Sequence, residues 1–316
     1  MPLNDHDLSQ IRALRKNVES ALLGKPEVVR LAVAALLARG HLLIEDIPGV
    51  GKTTLARALA KSIACDFRRI QFTPDLLPAD VTGVSVWDPE KRAFAFRPGP
   101  VFANVVLADE VNRATPRTQS ALLEAMNESR VTVDGETRPL PSPFLVIATQ
   151  NPVEFSGTYA LPESQLDRFL MLLRIGYPPP AEERRIVIER RASDPVESLA
   201  PAVTAEDVRR LCGRVAEVRM AGPLSDYALD IIHRTRDARD LSAGASPRGA
   251  LHLVRAACAL ALVDGRDFAT PDDVKAVAVP VLAHRVTERR ARASSDGRRE
   301  REEAITRILR ETPVPV

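Results

Sequence analysis

The sequence predicts an α/β domain built on a parallel sheet, followed by an all-helical domain. Up to about residue 178, short apolar runs alternate with helical patterns, as expected for strands that helices cover on both faces. One of these runs leads through a glycine-containing loop into a helix. From Val203 onward the apolar residues recur only at helical spacing, so no strand is expected there. We therefore predict domains at 1–178 and 179–316.

The composition is that of an ordinary globular chain. Of its 316 residues, 45% are hydrophobic and 27% are charged, with a formal net charge of +2. A balance so close to neutral gives no support for nucleic acid as a partner. The longest apolar stretches, Leu31–Leu37 and Ala256–Val263, are too short to span a bilayer, and the first ten residues do not resemble a signal peptide. We expect a cytoplasmic protein without membrane insertion.

The elements of the first domain follow from apolar spacing and stop signals. Helices are expected at Asp7–Leu23 and Glu27–Ala38, which glycines follow, and from about Lys52 to Ala64. Buried strands are expected at the short apolar runs His41–Glu45, Arg69–Phe72, Val105–Ala108, Leu145–Thr149 and Leu170–Ile175.

A proline-rich break at Tyr177–Pro180 precedes the helical part of the chain. Helices are expected there at Ala181–Ala192, Ala205–Ala216, Ser225–Asp237, Pro247–Val263 and Pro271–His284. The segment Arg285–Arg301 is rich in arginine, and its commonest interpretation is a solvated helix with opposite-charge pairs.

Two hairpins are predicted within the α/β domain. Val84–Asp88 and Ala93–Phe96 are β-prone runs on either side of a short polar turn. Arg130–Val133 is followed by the turn dipeptide Asp134-Gly135 and a second run. Each hairpin is either a functional loop or a surface decoration, and the sequence leaves both interpretations open.

The loop after the first strand has the features of a phosphate site. Residues 44–54 read IEDIPGVGKTT, and consecutive backbone N–H groups at a helix start form an anion cradle that the helix dipole strengthens. Asp46 stands where the motif G-x-x-x-x-G-K-[ST] has its first glycine, so a glycine turn with a solvated lysine is the alternative. The candidate phosphate-binding residues are Pro48, Gly49, Val50, Gly51, Lys52, Thr53 and Thr54.

Two further strands end in polar side chains. Residues 104–110 read NVVLADE, so Asp109 could hold Mg²⁺ together with the Thr53 hydroxyl, while Glu110 could accept a proton from water. An acidic cap on the following helix, Pro116–Ser129, is the alternative. Asn151 follows the next strand and could orient that water, although an asparagine before proline is also a common turn.

These motifs resemble those of the AAA+ ATPases and, within them, the MoxR family of the helix-2-insert clade. The resemblance is carried by IEDIPGVGKTTLARALA (44–60), LADEVNRATPRTQSALLEAM (107–126), ATQNP (148–152), GTYALPESQLDRF (157–169) and SPRG (246–249). It extends to TPDDVKAVAVPVLAHRV (270–286) and so covers nearly the whole chain. MoxR-type loops commonly carry an acidic residue at the position of Asp46.

The resemblance implies roles that spacing alone does not give. The nucleotide would be ATP, with LLGKP (22–26) contacting the adenine through its backbone. Asn151 is similar to the sensor-1 residue, Arg168 to the arginine finger that reaches a neighbouring subunit, and Arg248 to the sensor-2 arginine of a helical lid. Without the resemblance, Arg168 would be assigned to a surface ion pair and Arg248 to a helix start.

The resemblance also implies partners. MoxR relatives form rings, so we expect a homo-oligomer of six subunits that acts on a protein client. A chaperone role in metal or cofactor insertion, with a partner that bears a von Willebrand factor A domain, is the leading hypothesis. A nucleic-acid motor and a nucleotide-gated scaffold without turnover are the alternatives, and salt-dependent strand binding would favour the first.

Overall fold

The computed structural model describes residues 4–151, 159–189, 194–289 and 295–315. In chain order its strands are β1 (Leu42–Glu45), β2 (Phe67–Gln71), β3 (Gly83–Asp88), β4 (Ala93–Pro98), β5 (Val105–Asp109), β6 (Arg130–Val133), β7 (Glu136–Pro139), β8 (Leu145–Gln150), β9 (Met171–Leu173), β10 (Leu241–Ala243) and β11 (Thr287–Glu288). Its helices are α1 (Asp5–Ala21), α2 (Pro26–Leu37), α3 (Lys52–Ser62), α4 (Pro78–Thr82), α5 (Pro116–Glu128), α6 (Glu163–Leu166), α7 (Pro180–Glu189), α8 (Ala205–Val215), α9 (Gly222–Asp237), α10 (Pro247–Val263), α11 (Pro271–Leu282) and α12 (Ser295–Glu311).

The predicted parallel sheet is confirmed. It has five strands in the order β2-β5-β8-β1-β9, and every neighbouring pair is parallel. Because parallel strands all point the same way, their carboxyl ends meet at one edge of the sheet. Gln71 is paired with Asp109, and Glu45 with Gln150, so this edge collects the polar residues that end the strands.

The strands are buried because successive side chains enter different apolar clusters. Leu42 and Ile44 of β1 pack with α1, α2 and α3, whereas Leu43 between them packs with α5 on the other face. This alternation follows from the pleat of a strand, whose side chains point to opposite faces in turn. Both faces are therefore covered, as the apolar runs in the sequence indicate.

The last strand of the sheet is shorter than predicted. An apolar strand was expected over Leu170–Ile175, but β9 spans only Met171–Leu173. The ladder ends because the backbone amides of Ile175 and Gly176 donate to the Asp46 carboxylate instead of to a neighbouring strand. A side chain of the phosphate loop thus replaces the strand partner.

The second half of the chain is helical but not entirely so. The expectation that no strand occurs after Val203 is wrong, because β10 and β11 pair in antiparallel fashion. Strands of two or three residues are too short to show an alternating pattern in the sequence. The boundary between 178 and 179 stays a prediction. Among the described residues, no helix combines the length and apolar character needed to cross a membrane.

The segment Arg285–Arg301 is only partly a solvated helix: among its described residues, Arg299 forms an exposed pair with Glu303 on α12, but two other arginines are buried. The Arg285 side chain is only 1% exposed, and the Arg298 side chain 11% exposed. Arg298 lies on α12 and pairs with Glu45 at the end of β1, with 2.5 Å between its Nη2 and the carboxylate. Arg174, just after β9, pairs with Glu302 of α12 at 2.9 Å. The last helix is therefore bound to the edge of the sheet that leads into the phosphate loop.

Both predicted hairpins are present. β3 pairs with β4 and β6 pairs with β7, each in antiparallel fashion. Asp134 and Gly135 have φ values of +53° and +80°, the conformation that a two-residue hairpin turn requires. The first hairpin carries Trp87 and Phe94 as an edge-to-face pair with ring centroids 5.3 Å apart. These rings are 51% and 72% exposed, so the hairpin presents an apolar surface.

Candidate active site

The loop between β1 and α3 has the backbone of a phosphate cradle. Gly49 has φ +85° and Gly51 has φ +101°, values that a residue with a side chain rarely adopts. A Cβ at Gly51 would also lie 2.7 Å from Leu22 Cδ1, so the end of the Leu22 side chain would have to move. A Cβ at Gly49 would meet no atom within 4 Å, so the loop surface there is open. The α3 helix begins at Lys52, immediately after Gly51.

Asp46 explains the departure of this loop from the usual motif. Its Oδ2 accepts hydrogen bonds from the backbone N–H groups of Ile175 and Gly176 at 2.8 and 2.7 Å. Its Oδ1 accepts from the Ile47 N–H at 2.9 Å. The side chain is nearly buried, and its backbone carbonyl accepts a hydrogen bond from Lys52 Nζ at 2.7 Å. The acid therefore fixes the loop to the chain that leaves β9.

The first acid of the predicted pair is held by two partners at the end of β5. Asp109 Oδ1 accepts a hydrogen bond from the Thr149 hydroxyl at 2.6 Å, and its Oδ2 accepts from Arg69 Nη2 at 2.5 Å. Thr149 lies on β8 and Arg69 on β2, the two strands that flank β5. The carboxylate is thus oriented from both sides of its own strand.

The second acid lies just beyond the strand in an unusual backbone conformation. Glu110 has φ +57°, a left-handed conformation that costs a non-glycine residue about 1–2 kcal/mol. Its N–H donates to the Thr149 hydroxyl at 2.9 Å, which holds the backbone in this turn. Its carboxylate accepts hydrogen bonds from Gln71 Nε2 at 2.8 Å and from Arg113 Nη1 at 3.1 Å. Glu110 is therefore fixed at both its backbone and its side chain.

The charges of the site act on one another. Burial lowers the pKa of the Lys52 ammonium below its usual value, while the carboxylates of Asp109, Asp46 and Glu110 act in the opposite direction. Lys52 begins the helix after β1 and Asp109 ends β5, so both lie at the carboxyl edge of the same parallel sheet. The structure thus brings together Lys52 and the Asp109–Glu110 pair, which are more than fifty residues apart in the sequence. The arrangement offers an anion cradle beside two oriented carboxylates.

Asn151 follows β8 and is 8% exposed. Because β8 lies between β5 and β1, this residue stands at the same edge of the sheet as Asp109 and the phosphate loop. Pro152 and the first residues of the motif at 157–169 lie outside the described residues. The amide is therefore placed at the predicted edge, and its role as a water-orienting group stays a prediction.

The two arginines assigned by resemblance both lie near Asp167: Arg168 follows it in the sequence, and Arg248 approaches it from α10. Arg168 follows α6, and its Nη1 donates to the backbone carbonyl of Leu123 on α5 at 2.7 Å. Arg248 lies in the first turn of α10, where Ser246 caps the helix by accepting from the Gly249 N–H. Its side chain is 52% exposed, with Nη1 3.9 Å from Asp167 Oδ2. Their roles toward a nucleotide stay predictions.

Sequence reasoning missed three residues that support the site: Arg69, Gln71 and Thr149. All three contact Asp109 or Glu110 from a neighbouring strand. Gln71 ends β2 and Thr149 lies one residue before the end of β8, so their positions at strand ends were a usable signal. The strand order, which a sequence does not give directly, was needed to place them beside β5.

Two family descriptions match the chain in the regions that form these elements. The ATPase family associated with various cellular activities (AAA) matches residues 41–171, which include the phosphate loop and the acid pair. The AAA lid domain matches residues 233–308, which include Arg248. These matches agree with a nucleotide-binding sheet followed by a helical lid.

Individual proteins are similar over most of the chain. YeaC of Bacillus subtilis is 51% identical over 86% of this chain and 85% of its own length. Chaperone MoxR1 of Mycobacterium tuberculosis is 42% identical over 85% of this chain and 73% of its own length. A crystal structure from Cytophaga hutchinsonii superposes with a TM-score of 0.87 at 35% identity, covering 98% of this chain and 96% of that one. The chain belongs to the MoxR family of AAA+ ATPases.

Proposed function

We propose that this protein hydrolyses ATP with Mg²⁺ at sites shared between neighbouring subunits of a six-membered ring. Support comes from one observation above all, the gathering of Lys52, Asp109 and Glu110 at the carboxyl edge of the sheet. A cationic cradle beside two oriented carboxylates matches the needs of phosphoryl transfer to water, in which positioning and charge stabilisation dominate.

The residues of the loop would bind the phosphates. The N–H groups of the segment from Gly49 to Thr54, which follows Pro48, line the start of α3, where the helix dipole favours negative charge. Lys52 already lies against this loop through the carbonyl of Asp46 and would contact the β- and γ-phosphates. Arg248, exposed at the start of α10, would contact the phosphates from the lid.

The site also fits a magnesium ion. Thr53 and Asp109 offer the hard oxygen donors that Mg²⁺ prefers. Asp109 Oδ1 keeps a lone pair beside its hydrogen bond from Thr149, whereas Oδ2 already accepts from both Nε and Nη2 of Arg69. The ion, when bound, would neutralise charge that develops on the phosphate oxygens. Asp109 would therefore act mainly through water molecules, while the Thr53 hydroxyl would contact the ion directly.

The attack on the γ-phosphate would use three further side chains. Glu110 would accept the proton of the attacking water, for which its fixed carboxylate is well suited. Asn151 would orient that water by a hydrogen bond. Arg168 of a neighbouring subunit would stabilise the charge on the transferred group, an effect worth about 10³–10⁵ in rate when an arginine is supplied in trans. Turnover would then depend on assembly.

The energy of turnover would be used to remodel protein clients. The relative MoxR1 carries the name chaperone, and a chaperone role for this chain extends that similarity. The exposed aromatic pair Trp87 and Phe94 on the first hairpin offers an apolar surface for a client chain. A partner with a von Willebrand factor A domain and a role in metal insertion follow from the family resemblance and complete the proposal.

The proposal is tested by comparing the wild type with Glu110→Gln in the presence of Mg²⁺ or EDTA. We expect Glu110→Gln to bind ATP as the wild type does and to lose turnover by about 10²–10⁴-fold. EDTA should abolish wild-type turnover. Glu206→Gln, which alters an exposed acid of the lid, is the matched control and should change nothing. Normal turnover in Glu110→Gln would exclude Glu110 as the base, and ATP binding without turnover in the wild type would favour a scaffold.

A further inference from the structure

Arg285 is a buried arginine of the lid that contacts the segment around Arg168. It ends the short 3-10 turn Ala283–Arg285 after α11, and its side chain is 1% exposed. Its Nε donates to Asp167 Oδ1 at 2.8 Å, and its Nη2 donates to the Asp167 carbonyl at 3.1 Å. The same guanidinium donates to the carbonyls of Phe169 and Leu170. One side chain from the lid therefore binds the residues on both sides of Arg168.

Among the residues that the structure describes, Asp167 is the counter-charge of Arg285. Burial lowers the pKa of Arg285 to about 10, and the Asp167 carboxylate acts against this shift. The two histidines that contact the guanidinium, His252 and His284, have pKa values lowered first by burial and then by Arg285 itself, so both are neutral at pH 7. A buried cation with one anionic partner is strongly tied to that partner, because separating them would leave a charge unpaired.

Asp167 is shared by two arginines of the lid. Its Oδ1 accepts from Arg285, while its Oδ2 lies 3.9 Å from Arg248 Nη1. Arg248 is exposed and proposed to contact the phosphates of ATP from the lid. The next residue, Arg168, is proposed to contact ATP bound to a neighbour. The carboxylate thus lies beside both arginines that would contact nucleotide.

We infer that Arg285 is a positioning residue for Arg168, and that Asp167 couples Arg168 to Arg248 and hence to the lid. The inference rests on the proposed shared site and adds residues that the motifs do not identify. When the lid moves, Arg285 carries the segment from Asp167 to Leu170 with it, because four acceptors on that segment bind one rigid planar donor. An Arg248 contact with phosphate would compete with its contact to Asp167.

A purely structural role for Arg285 makes a different prediction. Arg285 also joins the lid to the core of its own subunit, so its loss could reduce activity by loosening that contact. Such an effect would fall on the site of the subunit that carries the substitution. Loss of finger positioning would instead fall on the neighbour's site, to which that subunit donates Arg168. Mixed rings separate these two cases.

The test mixes subunits that are inactive alone. Glu110→Gln subunits keep Arg168 but cannot hydrolyse ATP, and Arg168→Ala subunits keep their base but donate no finger. A mixture of the two variants should regain turnover at each interface where a Glu110→Gln subunit donates Arg168 to an Arg168→Ala subunit. Adding Arg285→Met to the Glu110→Gln donor should reduce this regained turnover by about 10²-fold, the usual effect of a small misplacement of a reacting group. Adding Arg285→Met to the Arg168→Ala acceptor should cost much less.

The controls keep each failure distinguishable. Arg266→Lys in the donor alters another paired arginine of the lid, which binds Asp273 through two contacts of 2.6 Å, and should leave regained turnover unchanged. If Arg285→Met does not assemble, Arg285→Lys keeps the charge but not the fork and should show the same asymmetry. Equal losses of regained turnover from Arg285→Met in donor and acceptor, or no loss in the donor, would overturn the positioning role of Arg285 but not the shared site. No regained turnover in the starting mixture would overturn the shared site and the inference together.

Discussion

Asp46 Oδ2 lies 2.7 Å from the backbone N of Gly176, so the phosphate loop is bound to the chain that leaves the last core strand. The phosphate-loop motif G-x-x-x-x-G-K-[ST] has a glycine at this position, so in the sequence Asp46 is a departure from the motif. In the folded chain it supplies an acceptor for two amides that the short strand β9 leaves without a strand partner. The departure from the motif is thus a structural connection that a glycine could not make.

Replacing this acid should weaken the fold even though it restores the usual motif. Asp46→Gly leaves the amides of Ile175 and Gly176 without their acceptor, and a buried unpaired group costs about 1–3 kcal/mol. We expect the free energy of unfolding in urea to fall by that amount. Asp46→Asn keeps one oxygen acceptor and should lose less. An Asp46→Gly protein as stable as the wild type would contradict the role assigned to the carboxylate.

Lys52→Ala should lower the affinity for ATP by more than about tenfold. The substitution removes the cation of the loop and leaves Asp109 and Glu110 to repel the phosphates. Calorimetric titration with ATP measures the effect. Lys61→Ala is the matched control, since Lys61 lies in the last turn of the same helix and donates to the carbonyl of Glu197 far from the loop. Equal affinities for Lys52→Ala and the wild type would exclude the phosphate-binding role.

Thr149→Val should impair turnover more than ATP binding. The valine has nearly the same shape but removes both the hydrogen bond to Asp109 and the acceptor of the Glu110 N–H. Because both acids would lose their orientation, we expect kcat to fall by about 10²-fold. Thr149→Ser keeps the hydroxyl and should retain most of kcat. If valine and serine variants behave alike, the hydroxyl does not orient the acids.

Stability should fall as the pH is lowered through the range of histidine titration. Val146 N–H donates to His41 Nδ1 at 3.0 Å, so protonation would place two donors face to face. Burial lowers the pKa of His41 to about 4, so the unfolded chain takes up a proton near pH 6.5 that the folded chain refuses. The stability is complete above pH 6.5, and His41 alone should cost about 2 kcal/mol of it at pH 5.

Urea unfolding at several pH values measures this dependence. His41→Gln removes one of the three buried histidines with lowered pKa values, the others being His252 and His284, and should make the curve less steep between pH 6.5 and pH 5 without flattening it. His6→Gln, which alters an exposed histidine of α1, should leave the slope unchanged. An unchanged slope in His41→Gln would contradict the contribution assigned to His41.

Most of the fold could be predicted from the sequence because its local signals agreed with one another. The apolar runs predicted each strand of the main sheet, and the glycine loop, the Asp109–Glu110 pair and Asn151 were found from their positions at strand ends. The short strands β10 and β11 were missed because two or three residues cannot establish a pattern. The two strands were missed because of their short length and not because of their composition.

The contacts that orient the site were less accessible to sequence reasoning. Gln71 and Thr149 matter because β2 and β8 flank β5, and that order arises only when the sheet forms. Arg285 and Asp167 are separated by 118 residues, and nothing in an arginine-rich segment distinguishes a buried arginine from a solvated one. Such contacts depend on long-range packing, which local spacing does not encode.

The central claim is that Arg168 of one subunit completes the site of the next, and it is tested by measuring ATP turnover against protein concentration. Ring size is followed by light scattering in the same samples, for the wild type and for Arg168→Ala. We expect the turnover per subunit to rise as rings form, and Arg168→Ala to assemble and bind ATP but remain at least about 10³-fold less active. Turnover that is independent of assembly, or undiminished in assembled Arg168→Ala rings, would contradict the shared site.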